Sequence, residues 1–97
     1  MRVEILQVPD CPNAALLASR LREAHDGLDV TRHVIDDLET AMARGMTGSP
    51  TLLLDGTDPF AVAGSAPSVS CRLYPDENGN LAGAPSVASL RRALSGL

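Results

Sequence analysis

Two sulfur atoms carry the chemistry this chain offers most directly. The 97-residue sequence holds two cysteines, Cys11 and Cys71. Their wide separation forms no disulfide framework, and in a reducing cytosol both are expected as free thiols. A thiol acts as a nucleophile or soft-metal ligand through its thiolate, so the surroundings of each sulfur decide its use. Cys11 lies in Pro9-Asp10-Cys11-Pro12-Asn13-Ala14, where a strand pattern gives way to helical spacing. Pro12 suits the first position of a helix, which makes Cys11 its N-cap. There, unpaired backbone N–H groups and the positive end of the helix dipole face the sulfur and favour the thiolate. Asp10 opposes this by like-charge repulsion. The bland reading is a small side chain that merely caps a helix.

Cys71 lies in Ser68-Val69-Ser70-Cys71-Arg72-Leu73-Tyr74. A tight hairpin with the preceding strand would set it beside Gly56, ~17 Å from Pro50, as a buried and inert residue. The long connection Thr57–Ser70 leaves a different register open. Other polar residues read as structural. His25 favours a helix C-terminus, and His33 flanks Arg32 on a strand. Two thiols and a distant histidine make no zinc spacing. Asp55-Gly56 and Asn78-Gly79 are turn pairs without the glycines and lysine of a phosphate cradle. Tyr74 either faces a thiol or fills the sheet.

Periodicity supplies the elements that must position these groups. Arg2 to Val8 is apolar on both faces and reads as a strand inside a sheet. Ala14, Leu17, Leu21 and Ala24 recur at helical spacing up to Gly27. Leu28 to Ile35 is β-branched and reads as a second, parallel strand of a right-handed βαβ unit. Asp36 opens a helix with Glu39 as its capping-box partner, a buried stripe of Leu38, Ala41 and Met42, and a stop at Gly45. Gly48-Ser49-Pro50-Thr51 then leads into Leu52-Leu53-Leu54, a proline-led strand covered on both faces and hence central. Val69 to Tyr74 is a last strand, ended by Pro75 and the turn Asp76–Gly79. After a Gly/Ala-rich link, Ser86 caps a helix whose inner stripe is Val87, Leu90, Leu94 and Leu97.

Composition narrows the function classes. The formal net charge is -4, all eight basic residues are scattered arginines, and one Phe and one Tyr are the only aromatics. With no basic stripe or stacking platform, nucleic acid is not an expected partner. No apolar run approaches the ~18 residues of a membrane span, and the N-terminus shows no signal-peptide core, so a cytoplasmic protein with no membrane partner is expected.

The element order, with Cys11-Pro12-Asn13-Ala14 after the first strand and Gly48-Ser49-Pro50-Thr51 before the third, resembles the thioredoxin fold over almost the full length. The resemblance implies one α/β domain, residues 1–97, with the minimal βαβαββα topology: a four-stranded mixed sheet with helices on both faces. It implies a cis Ser49-Pro50 bond facing the Cys11 sulfur. The implied function is thiol-dependent redox chemistry with Cys11 as nucleophile and Ser49 and Pro50 in the site; outside the matched segments, Cys71 is the candidate resolving partner. The second cysteine of thioredoxins is replaced by Ala14, so a Cys-x-x-Cys dithiol cycle is excluded at that position and monothiol chemistry remains. No cofactor is implied. The expected partner is a thiol, disulfide or soft-metal small molecule, or a protein thiol.

Ser68–Tyr74 is also similar to the segment around the second catalytic cysteine of organomercurial (alkylmercury) lyases. In that family two cysteines bind the mercury, and an aspartate three residues after the first handles the proton. The thiols carry over to Cys11 and Cys71 as ligands of a soft metal such as mercury. The aspartate does not, because Ala14 stands in its place. A third expectation is a non-catalytic binding module, with Thr57–Ser70 as its contact surface.

Overall fold

Val3–Gln7 (β1) is the strand on which the other elements are laid. The computed structural model describes residues 1–95. Val30–Val34 (β2) pairs with β1 in parallel, from Val3 opposite Val30 to Gln7 opposite Val34. On the other side Thr51–Leu54 (β4) runs antiparallel, from Val3 opposite Leu54 to Leu6 opposite Thr51. Pro12–Ala24 (α1) makes the crossover from β1 to β2, and Leu38–Arg44 (α2) leads from β2 to Thr47–Ser49 (β3). Ser68–Cys71 (β5), the short pair Tyr74–Pro75 (β6) and Leu81–Ala82 (β7), and Val87–Ser95 (α3) complete the order.

Alternation along β1 sends its side chains into two separate cores. Val3 and Ile5 join Leu17 and Leu21 of α1, Leu52 and Leu54 of β4, and Leu90 and Leu94 of α3. Leu6 points the other way, to Ile35, Ala41 of α2, Met46 and Leu53. The chain is therefore a mixed α/β protein, with α1 and α3 against one core and α2 against the other. No helix among the described residues is long and apolar enough to cross a membrane.

Several boundaries differ from the sequence expectation. Among the described residues the main sheet has three strands in the order β2-β1-β4, so β1 is central and β4 ends the ladder. All four β4 residues are nonetheless buried. The expected last strand is divided: β5 runs parallel to β3 in a separate two-stranded sheet, and β6 forms a hairpin with β7. β7 lies in the segment expected as a plain link. Its hairpin is closed by Asp76, whose carboxylate accepts from the N–H groups of Asn78 and Asn80 at 2.8 and 2.9 Å. Helix α1 ends at Ala24 with His25 as C-cap, ahead of Gly27.

Helix α2 starts one residue later than expected. Asp37, not Asp36, is the N-cap, and its carboxylate accepts from the Thr40 N–H at 2.7 Å. Along this helix only Ala41 is buried, while Leu38 and Met42 are 56% and 62% exposed. Met46, beyond the left-handed Gly45 cap, fills the core in their place. Ser86 caps α3 through its hydroxyl, which accepts from the Ser89 N–H at 3.1 Å. Leu97, assigned to the inner stripe of that helix, lies outside the described residues.

One charge cluster ties β1 to its surroundings. Glu4 accepts from the Arg2 guanidinium at 2.8 Å and pairs with His33 Nε2 at 2.9 Å, with Arg44 at 3.6 Å. Burial pushes the Glu4 carboxyl up, but the hydrogen bonds from Arg2 and His33 outweigh it and hold the carboxyl below its ordinary 4.5. A carboxyl depressed in the folded state stabilises fully above its unfolded value, and that contribution is lost as pH falls through the folded value. Glu4→Gln is therefore expected to make unfolding less sensitive to pH below about 5, read from denaturant midpoints across an acid series. An unchanged acid limb would contradict the assignment.

Candidate functional site

The C-terminal end of β1 fixes the first sulfur. Ser49 Oγ accepts from the Val8 N–H at 3.0 Å, which clamps the chain just after β1 to the end of β3. Asp10 then takes a positive φ of 56° and turns the backbone into Cys11. Cys11 is the N-cap of α1, with Pro12 in the first turn as expected. Its sulfur makes no capping hydrogen bond, and the first turn closes through the Ala14 N–H to the Cys11 carbonyl at 3.2 Å. The side chain is half-buried against the α1/α3 core. Ala14, where a second cysteine of a dithiol would stand, is fully buried.

β3 and β4 are two halves of one path broken at Pro50. The Ser49-Pro50 bond is cis. Ser49, Pro50 and Thr51 are all buried, so each polar atom there requires a partner. Thr51 Oγ1 donates to the Gly48 carbonyl at 2.6 Å. The Tyr74 hydroxyl donates to the Pro50 carbonyl. Burial pushes the Tyr74 hydroxyl far above its ordinary value, so it stays protonated and remains a donor throughout the physiological range.

The backbone of the second cysteine pairs with the same turn. Ser49 and Cys71 are partners in the parallel β3–β5 register, and the Arg72 N–H donates to the Ser49 carbonyl at 3.0 Å. The hairpin register that would set Cys71 at Gly56 is not adopted, because β5 runs parallel to β3. Cys71 is exposed rather than buried, and both thiols are free. Ser49 is thus the common neighbour: its hydroxyl holds the strand leading to Cys11, and its backbone pairs with Cys71.

Arg72 locks this arrangement and was not singled out by its sequence context. Its guanidinium pairs with Asp58 at 2.7 Å, donates to the Phe60 carbonyl at 2.7 Å and to Thr47 Oγ1 at 3.1 Å. It also lies 4.6 Å from the centroid of the Tyr74 ring, within reach of a cation–π interaction. The side chains of Arg72 and Asp58 are only 10% and 11% exposed. Through them the connection after β4 is tied to β3, β5 and Tyr74. The available signal was an Asp and an Arg flanking a long loop, a pattern common to many loops.

Gly48 makes this proximity possible. Its φ is +129°, and a Cβ added there would lie 2.7 Å from Cβ of Arg72. Gly48→Ala is expected to cost about 1–3 kcal/mol of stability, from backbone strain and displacement of Arg72. Thermal or urea unfolding checks it, and a loss within error of zero would contradict it. Among the described residues no three His, Cys, Asp or Glu side chains converge as a metal cluster.

The described residues form a mixed α/β protein with two free thiols and a buried cis Ser49-Pro50 turn, whose serine accepts from the Val8 N–H and pairs with Cys71. No protein-family model, curated protein or solved structure matches the chain.

Proposed function

We propose that the chain is a thioredoxin-like, thiol-dependent redox protein in which Cys11 is the nucleophile and Cys71 the second thiol. The observation that carries this reading is the shared position of Ser49, bonded to the strand that leads to Cys11 and paired with Cys71. The β1–α1–β2 unit with antiparallel β4 supports the thioredoxin-like assignment. The parallel β5 is then a departure from that fold, one in which Cys71 is paired in register with Ser49. Free thiols in this role suit a cytoplasmic setting.

The test uses two opposed expectations. Exposure alone favours labelling of Cys71 by a small alkylating agent, because Cys11 is half-buried. The proposed role favours Cys11, because it stands at the N-terminus of α1, where the helix dipole attracts negative charge. Timed labelling near neutral pH with peptide mapping is expected to show Cys11 modified well ahead of Cys71. Equal, slow modification of both would rule the reading out.

The exposed Cys71 beside Ser49 also favours a second reading, soft-metal binding by the same thiols. It predicts one tightly held Hg(II) per chain, lost on Cys→Ser replacement at either position. Binding no tighter than that of a free thiol would eliminate it. Buried Ala14 offers no proton-handling group, so this reading concerns capture of mercury and not cleavage of a carbon–mercury bond.

A further inference from the structure

Both aromatic residues of the chain line one pocket whose wall contains neither cysteine. It has a volume of about 200 Å³ and is bounded by Phe60, Val62, Leu73, Tyr74, Pro75 and Pro85. The Phe60 and Tyr74 rings meet edge to face with centroids 5.8 Å apart, so the floor of the pocket is a fixed aromatic corner. Val62 and Leu73 are 67% and 58% exposed. Side chains of this kind left in water beside a concave apolar wall mark a place where an apolar group gains by burial.

The polar groups nearby are already engaged. The Tyr74 hydroxyl donates to the Pro50 carbonyl. Arg72, which lies over the Tyr74 ring, is neutralised by Asp58 at 2.7 Å. Ser89, the one hydroxyl-bearing aliphatic residue in the wall, shares a hydrogen bond with the Ser86 hydroxyl at 3.0 Å and accepts from Arg92 at 3.2 Å. The pocket therefore offers apolar surface and no uncompensated charge to a ligand. A charged ligand would lose hydration there without gaining an ion pair. Its size also fits a small ring, since an apolar cavity of about 150 Å³ accommodates benzene.

We infer that this pocket is a binding site for a small, uncharged aromatic or branched hydrocarbon group. The inference stands on the pocket alone and goes beyond the thiol reading, so it holds or fails whether or not Cys11 and Cys71 react.

Three probes that share a benzyl-type ring separate the outcomes: benzyl alcohol, benzoate and benzylammonium. NMR titration of the full chain is expected to show saturable binding of benzyl alcohol with a dissociation constant on the order of 1 mM. The shifts should centre on Phe60, Val62, Leu73 and Tyr74, and both charged probes should bind at least about tenfold more weakly. Val62→Asp and Leu73→Asp, at exposed rim positions, should weaken benzyl alcohol by a similar factor. Leu38→Asp, on exposed α2, should leave it unchanged, as should joint Cys11→Ser and Cys71→Ser replacement. Non-saturable shifts spread over exposed apolar residues, equal binding of all three probes, or indifference to both rim substitutions would overturn the inference.

Discussion

Replacing Arg72 with methionine is expected to lower folding stability by about 3–5 kcal/mol, the cost of breaking a buried ion pair from one side. The substitution keeps much of the aliphatic volume but leaves Asp58 as a largely buried carboxylate without its cation. It also removes the donors to the Phe60 carbonyl and Thr47 Oγ1, and the cation over Tyr74. Asp58→Asn in the same background should recover part of the loss, because it removes the stranded charge. A double-mutant cycle read by urea unfolding isolates that coupling. A loss for Arg72→Met below about 1 kcal/mol would place the pair among surface ion pairs and contradict the description of Arg72 as a lock.

The second large effect is functional. Cys11→Ser is expected to reduce exchange with a small disulfide to the background of Cys71 alone, because a serine hydroxyl does not replace a thiolate. In the proposed first step the Cys11 thiolate attacks one sulfur of R–S–S–R′. A Cys11–S–S–R bond forms, the R–S–S–R′ bond breaks, and R′S⁻ leaves to take a proton from water. In the second step the Cys71 thiolate attacks the Cys11 sulfur, forming an internal disulfide and releasing RS⁻. The two protein thiols are oxidised and the substrate disulfide is reduced to two thiols. Cys71→Ser should therefore preserve the first step and leave the mixed disulfide on Cys11 standing. Stopped-flow release of a chromophoric thiol checks both variants, and full activity in Cys11→Ser would remove Cys11 from the nucleophile's role.

What the sequence made legible was set by local chemistry. Pro12 after Cys11 placed a helix start correctly, Gly45 stopped α2 with a left-handed φ of 79°, and Leu52–Leu54 is buried as a strand. These features depend on residues within a turn of one another. The errors arose where distant contacts decide. Leu38 and Met42 have the spacing of a buried stripe, yet of that stripe only Ala41 reaches the core with Leu6, Ile35, Met46 and Leu53. The parallel β3–β5 pairing cannot be inferred from a segment that would suit a hairpin equally well. The Arg72–Asp58 pair joins residues fourteen apart in sequence across that same loop, so neither residue stood out.

The site was legible in part for the same reason. Cys11, Ser49 and Pro50 lie on elements bounded by clear signals, and the Ser49 bond to Val8 brings those elements together. The place of Cys71 depended on the register of β5, which only the folded chain specifies. The sequence around Tyr74 suits packing and site alike. The residue serves both, as a core residue 3% exposed whose hydroxyl meets the Pro50 carbonyl.

The most direct measurement follows the order in which the wild-type sulfurs are oxidised. The reduced chain is mixed with one equivalent of a small disulfide, quenched in acid at intervals, and mapped by mass spectrometry without reduction. The account predicts a mixed disulfide first on Cys11, which then decays as a Cys11–Cys71 crosslink appears. A first adduct on exposed Cys71, or an adduct on Cys11 that persists with no internal crosslink, would contradict it.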